Sequence, residues 1–101
     1  MKGENTMYRI YVVFKCHEGK REKFVEKVNT EGIVSAVRKE DGCICYDYYF
    51  SEKDPNELLL IEAWESQKHQ QNHIEQPHMV LLRSFKDEYI VSTSLGEFEI
   101  K

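Results

Sequence analysis

The sequence holds no apolar stretch long enough to cross a bilayer, which takes about 20 consecutive apolar residues. It has no block of like charge that would form a solvated tail. Lys and Arg number 14 against 18 Asp and Glu, a net charge of −4, so the basic footprint of a nucleic-acid binder is missing. Residues 1–6 are polar and lack the apolar segment of a secretory signal. They are expected to form a disordered N-terminal extension. The three cysteines are an odd count, which fits a reducing cytoplasm better than a disulfide framework. The five glycines form no phosphate-binding loop, nucleophile elbow or dinucleotide fingerprint. No flavin, nicotinamide or nucleotide site is therefore expected. No internal repeat is visible.

What is present suits one soluble domain over residues 7–101, with 41% apolar and 32% charged residues in a chain of 101. A chain of this size buries only about 60–70% of its unfolded surface. A core plus a closed cavity strains that capacity, so a second copy is expected to help brace any small-molecule site.

Alternation predicts a strand over residues 7–15, with Tyr8, Ile10, Val12 and Phe14 on one face. A helix is predicted over 20–40, where Phe24/Val28 and Ile33/Val37 are apolar i,i+4 pairs. The five-residue gap between the pairs contains Gly32, where a kink or slip is expected. Cys43–Phe50 reads as a strand with Ile44, Tyr46, Tyr48 and Phe50 on one face and Cys43, Cys45, Asp47 and Tyr49 on the other. Asp54-Pro55-Asn56 is turn chemistry, leading to a hairpin partner over 58–65. Ser66 is a plausible N-cap for a polar helix to residue 75, and Pro77 opens the next helix. There His78, Leu81, Leu82 and Phe85 form a stripe. Strand character returns over 89–94 and 97–100, interrupted by Leu95-Gly96. The order β-α-β-β-α-β is the ferredoxin-like α+β arrangement, an antiparallel sheet with helices on one face. The aliphatic and Tyr content of both strand faces predicts that a second subunit covers the other face.

Glu62 and Trp64 are two apart on a strand and share a face with Leu58 and Leu60. A carboxylate in that apolar row is either a site residue or a group at the sheet rim, paired with Arg9, Lys15 or Arg83. Trp64 taken alone reads as core. His69 and His73 are i,i+4 on one helix face, yet no HExxH pattern accompanies them, and no metal is expected. His78 lies on the apolar stripe, where it is either a satisfied core histidine or a pocket group that moves protons. Cys16, His17, Cys43 and Cys45 lack the usual spacing of zinc ligands, and the thiols read as small buried hydrophobes.

The run Glu40-Asp41-Gly42-Cys43-Ile44-Cys45-Tyr46-Asp47 resembles the E-x-G-C-x-x-Y-x lead-in to the second strand of the antibiotic biosynthesis monooxygenase family. Asp54-Pro55-Asn56, then Glu62-Ala63-Trp64-Glu65-Ser66, His73 and Gln76-Pro77-His78-Met79 follow that family's order of motifs. The resemblance implies a ferredoxin-like subunit, a dimeric α+β barrel, and an aromatic-lined pocket between sheet and helices. It implies cofactor-independent oxygenation of a quinol-like or polyketide phenol substrate by molecular oxygen. His73, His78 and Glu62 are then the expected catalytic residues, with Trp64, Tyr46 and Tyr48 binding substrate. No Asn lies between Met7 and Cys16, which counts against the haem-degrading branch. Met79 replaces the family's usual Phe. An isomerase or lyase of a small carbonyl compound, or a non-catalytic ligand-binding dimer, is the alternative; the tyrosine-rich faces favour a flat aromatic ligand.

Overall fold

The computed structural model describes residues 7–100, so the expected extension at 1–6 lies outside the described residues. The apolar alternation of the first segment forms strand β1 (Tyr8–Cys16), in which Ile10, Val12, Phe14 and Cys16 are buried. Helices α1 (Arg21–Thr30) and α2 (Ile33–Arg38) follow. The kink expected at Gly32 is a complete break. Gly32 has φ +77°, a left-handed conformation that costs other L-residues about 1–2 kcal/mol. The break lets α2 start afresh, so that both apolar pairs, Phe24/Val28 and Ile33/Val37, reach the same core.

Strand β2 (Cys43–Phe50) and strand β3 (Glu57–Trp64) form the expected hairpin. Asn56 N–H donates to Asp54 Oδ1 at 2.9 Å and closes the turn. Buried Arg21 donates to the carbonyls of Ser51, Asp54 and Glu57, fastening this turn to α1. The pairing register shifts between Cys43 and Cys45. Ile44 is the extra residue of this bulge, and the predicted alternation fails there. Cys43 therefore pairs opposite Trp64 and packs on the core with Tyr46 and Tyr48, while Ile44 is exposed.

Helix α3 (Gln67–Ile74) starts at Ser66, whose Oγ accepts from the His69 backbone N–H as expected of an N-cap. Pro77 opens α4 (Pro77–Phe85), and Leu82 and Phe85 are buried beneath it. Leu81 departs from the predicted stripe and is exposed, its place against the core being taken by Met79. A 3₁₀ turn, Lys86–Glu88, leads into β4 (Ile90–Glu97). The predicted interruption at Leu95-Gly96 does not occur. Gly96 continues the ladder opposite Tyr11, whose ring lies where a Cβ would stand.

The sheet order is β2-β3-β1-β4, with every pairing antiparallel. This is the ferredoxin-like α+β subunit. The helices cover the face that carries Ile10, Val12, Phe14, Leu58, Leu60 and Trp64. No helix among the described residues is long and apolar enough to cross a membrane.

Candidate active site

Strand β3 delivers Glu62 and Trp64 to the helix-covered face, as their spacing requires, and they are 5% and 0% exposed. Glu62 lies neither at the rim nor in an ion pair with Arg9, Lys15 or Arg83. It is opposite Ile10 and Tyr46, and it accepts the Trp64 indole N–H at 3.0 Å. Burial is the main cause that raises the Glu62 carboxyl above the ordinary range; the Trp64 hydrogen bond opposes it.

Helix α3 is polar, yet His73 is only 2% exposed. Its ring lies 4.7 Å from the Trp64 ring and 5.7 Å edge-on from Tyr46. Its Nδ1 is 2.9 Å from Glu40 Oε2, and His78 Nε2 is 2.6 Å from the same oxygen. A carboxylate oxygen only accepts, so each imidazole presents an N–H to it. In its neutral form His73 then has Nε2 as an acceptor.

A cavity of about 220 Å³ lies between the sheet and α3–α4, with Tyr46, Tyr48, Glu62, His73, Met79 and Leu82 in its wall. Thr93 and Leu95 of β4, opposite Phe14 and Val12, form its exposed margin. The Tyr48 hydroxyl is buried and makes no hydrogen bond of ordinary geometry among the described residues, although the Tyr46 hydroxyl is near enough to interact with it. Burial pushes the phenols of Tyr46 and Tyr48 well above their usual range, so both keep their O–H protons.

Of the residues predicted from sequence, the cavity wall contains Tyr46, Tyr48, Glu62 and His73. Trp64 is outside that wall and backs His73 from behind. His78 is also outside it and is tied to Glu40. His69 turns away from the cluster, its Nδ1 being 2.7 Å from Ser66 Oγ. Cys16 ends β1, whereas Cys43 opens β2 opposite Trp64, which pairs with Tyr8 at the other end of β1, so the two thiols stand far apart on the sheet. Burial raises the Cys43 thiol to about 11, which suits an inert apolar role. Glu40 was missed by residue-type reasoning, because it sits on the connection after α2, 33 residues from His73. Its only signal was its place at the head of the Gly42-Cys43 motif.

The family model for antibiotic biosynthesis monooxygenase matches residues 7–82. The chain belongs to this family. "Probable quinol monooxygenase YgiN" of Escherichia coli is 36% identical over 55 residues, 46% of this chain and 53% of that protein. The chain thus spans about half the length of the curated relatives it matches. A conserved protein from Methanosarcina mazei has the same fold, with a TM-score of 0.84 at 20% identity over 99% of this chain and 98% of that one. PA3566 from Pseudomonas aeruginosa gives 0.83 at 16% identity over 96% of each chain.

Proposed function

We propose that the protein is a cofactor-independent monooxygenase of a small quinol-like aromatic, with the cavity at His73 as its active site. The buried Tyr48 hydroxyl, which makes no hydrogen bond of ordinary geometry among the described residues and shares a cavity wall with the His73 imidazole, carries this reading. A native fold rarely leaves such a group unpaired unless an ordered water or a ligand completes it. The cavity, about 220 Å³, is below the usual range of about 300–1,000 Å³ for ligand pockets and suits one or two fused rings.

In this reading the Tyr48 O–H donates to one substrate oxygen, and His73 Nε2 takes the proton of a phenolic hydroxyl. Glu40 is a positioning residue. It holds the Nδ1–H tautomer and stabilises the imidazolium that forms. His78 fixes the Glu40 carboxylate, and Trp64 fixes the imidazole plane. Glu62, neutral when its raised pKa keeps its proton, offers a second donor without placing a charge beside the phenolate. The phenolate is itself the reductant: hydroquinone plus O₂ gives hydroxyquinone plus water, with one oxygen atom entering the ring and the other leaving as water. Electrons need no further carrier.

The reading further places a second subunit on the open face of the sheet, where Tyr11 and Tyr49 are exposed and Val13 and Leu59 half-buried.

Oxygen uptake with a panel of hydroquinones, using metal-free protein, tests the activity. Uptake above autoxidation that disappears in His73→Ala is the expected result. Glu40→Gln should lower kcat with little change in KM, as befits a residue that acts through His73. A panel that never exceeds autoxidation overturns the assignment.

A further inference from the structure

The Glu40–His73–His78 cluster has a second property that proton transfer does not use. One carboxylate oxygen and two imidazole nitrogens, from the α2–β2 connection, α3 and α4, lie within 4.8 Å of one another. The side chains are 10%, 2% and 19% exposed. Two imidazoles and one carboxylate form a recognised donor set for zinc and other first-row transition ions, with bonds of about 2.0–2.2 Å. Donors in the tetrahedral geometry that zinc prefers stand about 3.4 Å apart. The two nitrogen–oxygen contacts, 2.9 and 2.6 Å, each open by less than about 1 Å to reach it, and the nitrogens, within 4.8 Å of each other, draw together. His73 is held in place by Trp64, so the closing movement falls to His78, the most exposed of the three.

The cluster is approached from the Glu40 side. A cleft of about 490 Å³ opens beside Glu40 and is lined by Asp41, Glu75, His69, Asn72 and Gln76. Three carboxylates around its mouth favour a cation there.

We propose that Glu40, His73 and His78 form an inhibitory site for one divalent transition-metal ion, reached through this cleft. The ion would be zinc or a chemical equivalent, because two imidazole ligands disfavour magnesium and calcium. Coordination at His73 Nδ1 displaces the proton from that nitrogen. A neutral imidazole must then carry it on Nε2, the nitrogen left for the cavity. The cavity side of His73 changes from proton acceptor to donor, and the base is silenced without the ion entering the substrate pocket. The inhibitory consequence rests on the reading of His73 as the base; the binding does not.

The test is titration of metal-free protein with zinc chloride, followed by equilibrium dialysis and by ¹⁵N-detected tautomer assignment of His73. One zinc per chain is expected, with the His73 proton moving from Nδ1 to Nε2. Glu40→Gln and His78→Ala should each weaken binding by more than about tenfold, while His69→Ala should leave it unchanged. X-ray absorption on the wild-type complex keeps the proposal testable if a variant fails to fold: a shell of nitrogen and oxygen with two imidazoles supports it, and a sulfur ligand overturns it. Absence of stoichiometric zinc, or binding unaltered in both variants, also overturns it. With an accepted quinol, one equivalent of zinc should abolish uptake, a chelator should restore it, and magnesium should do neither. Zinc bound at this cluster with turnover unchanged would refute the inhibition. Zinc binding in a protein that oxidises no quinol would instead refute only the oxygenase reading.

Discussion

The indole N–H of Trp64 donates to Oε1 of Glu62 across 3.0 Å, and both side chains are withdrawn from water. Two residues apart on β3, they satisfy each other within one strand face. A buried carboxyl that loses a partner bears the desolvation cost of the exposed bonding site, about 1–3 kcal/mol. Trp64→Phe keeps an aromatic ring behind His73 but removes the donor and leaves a void. We expect a loss of about 2–4 kcal/mol in urea unfolding. In a Glu62→Leu background the same change should cost less, because no carboxyl remains to be orphaned. Equal costs in the two backgrounds would show that the hydrogen bond contributes nothing.

The raised carboxyl of Glu62 gives stability a definite pH dependence. Burial is the leading cause, the Trp64 N–H and a charged His73 act against it, and Glu40 adds to it. The folded protein therefore holds the Glu62 proton more tightly than the unfolded chain does. Its contribution is complete below the ordinary glutamate value of 4.5 and is lost as pH rises from there through the raised folded value. Glu62→Gln keeps an oxygen acceptor for Trp64 and never ionises. Melting temperatures of variant and wild type should be close near about pH 4, and the variant should melt higher near about pH 8. A difference that is flat with pH would mean that Glu62 ionises alike in both states.

Tyr48 sets stability against activity. Its hydroxyl oxygen is buried without a hydrogen bond of ordinary geometry among the described residues, while its ring packs edge-on against Phe24 and Tyr46 at 6.2 and 5.9 Å. Tyr48→Phe keeps those ring contacts and removes the unpaired group. The fold should gain up to about 1 kcal/mol. If the hydroxyl donates to substrate, kcat/KM for an accepted quinol should fall by about 100–1,000-fold, as for removal of one donor to a developing oxyanion. Thermal melts and steady-state oxygen uptake on the same sample would read both. A variant that is more stable and equally active would place the substrate oxygen elsewhere.

The strands and caps were legible because local chemistry decides them. The alternation in β1, the Asx turn at Asp54 and Asn56, the Ser66 cap and Pro77 each carry their signal within a few residues. Two of the departures show tertiary geometry overriding local signals. Nothing in Cys43-Ile44-Cys45 announces the bulge that turns Cys43 toward the core, since each of the three residues tolerates either face. Likewise, Leu95-Gly96 reads as a break until the Tyr11 ring is seen to occupy the space above Gly96. The site divided in the same way. Glu62 and Trp64 were visible as an odd pair on one strand face, and His73 and His78 as histidines on helices. That a single oxygen of Glu40 joins those histidines depends on how α2, α3 and α4 meet, which no spacing encodes.

Leu59 offers the sharpest test of the second subunit. It pairs opposite Val13 on one side and Tyr49 on the other, at the middle of the open sheet face. A shallow groove of about 240 Å³ there is lined by Val13, Tyr49, Phe50 and Leu59 together with Ser51 and Glu57. A stable homodimer buries about 1,600 Å² or more in total, and its centre tolerates unpaired charge poorly. By two-fold symmetry Leu59→Asp changes this face in both copies. The wild type should sediment as a dimer at micromolar concentration, and the variant as a folded monomer with unchanged far-UV circular dichroism. The helix-covered core stays untouched, because Leu59 points to the opposite face from Leu58 and Leu60. A wild type that sediments as a monomer would leave the open face without its proposed partner. A variant that stays dimeric would move the interface away from Leu59.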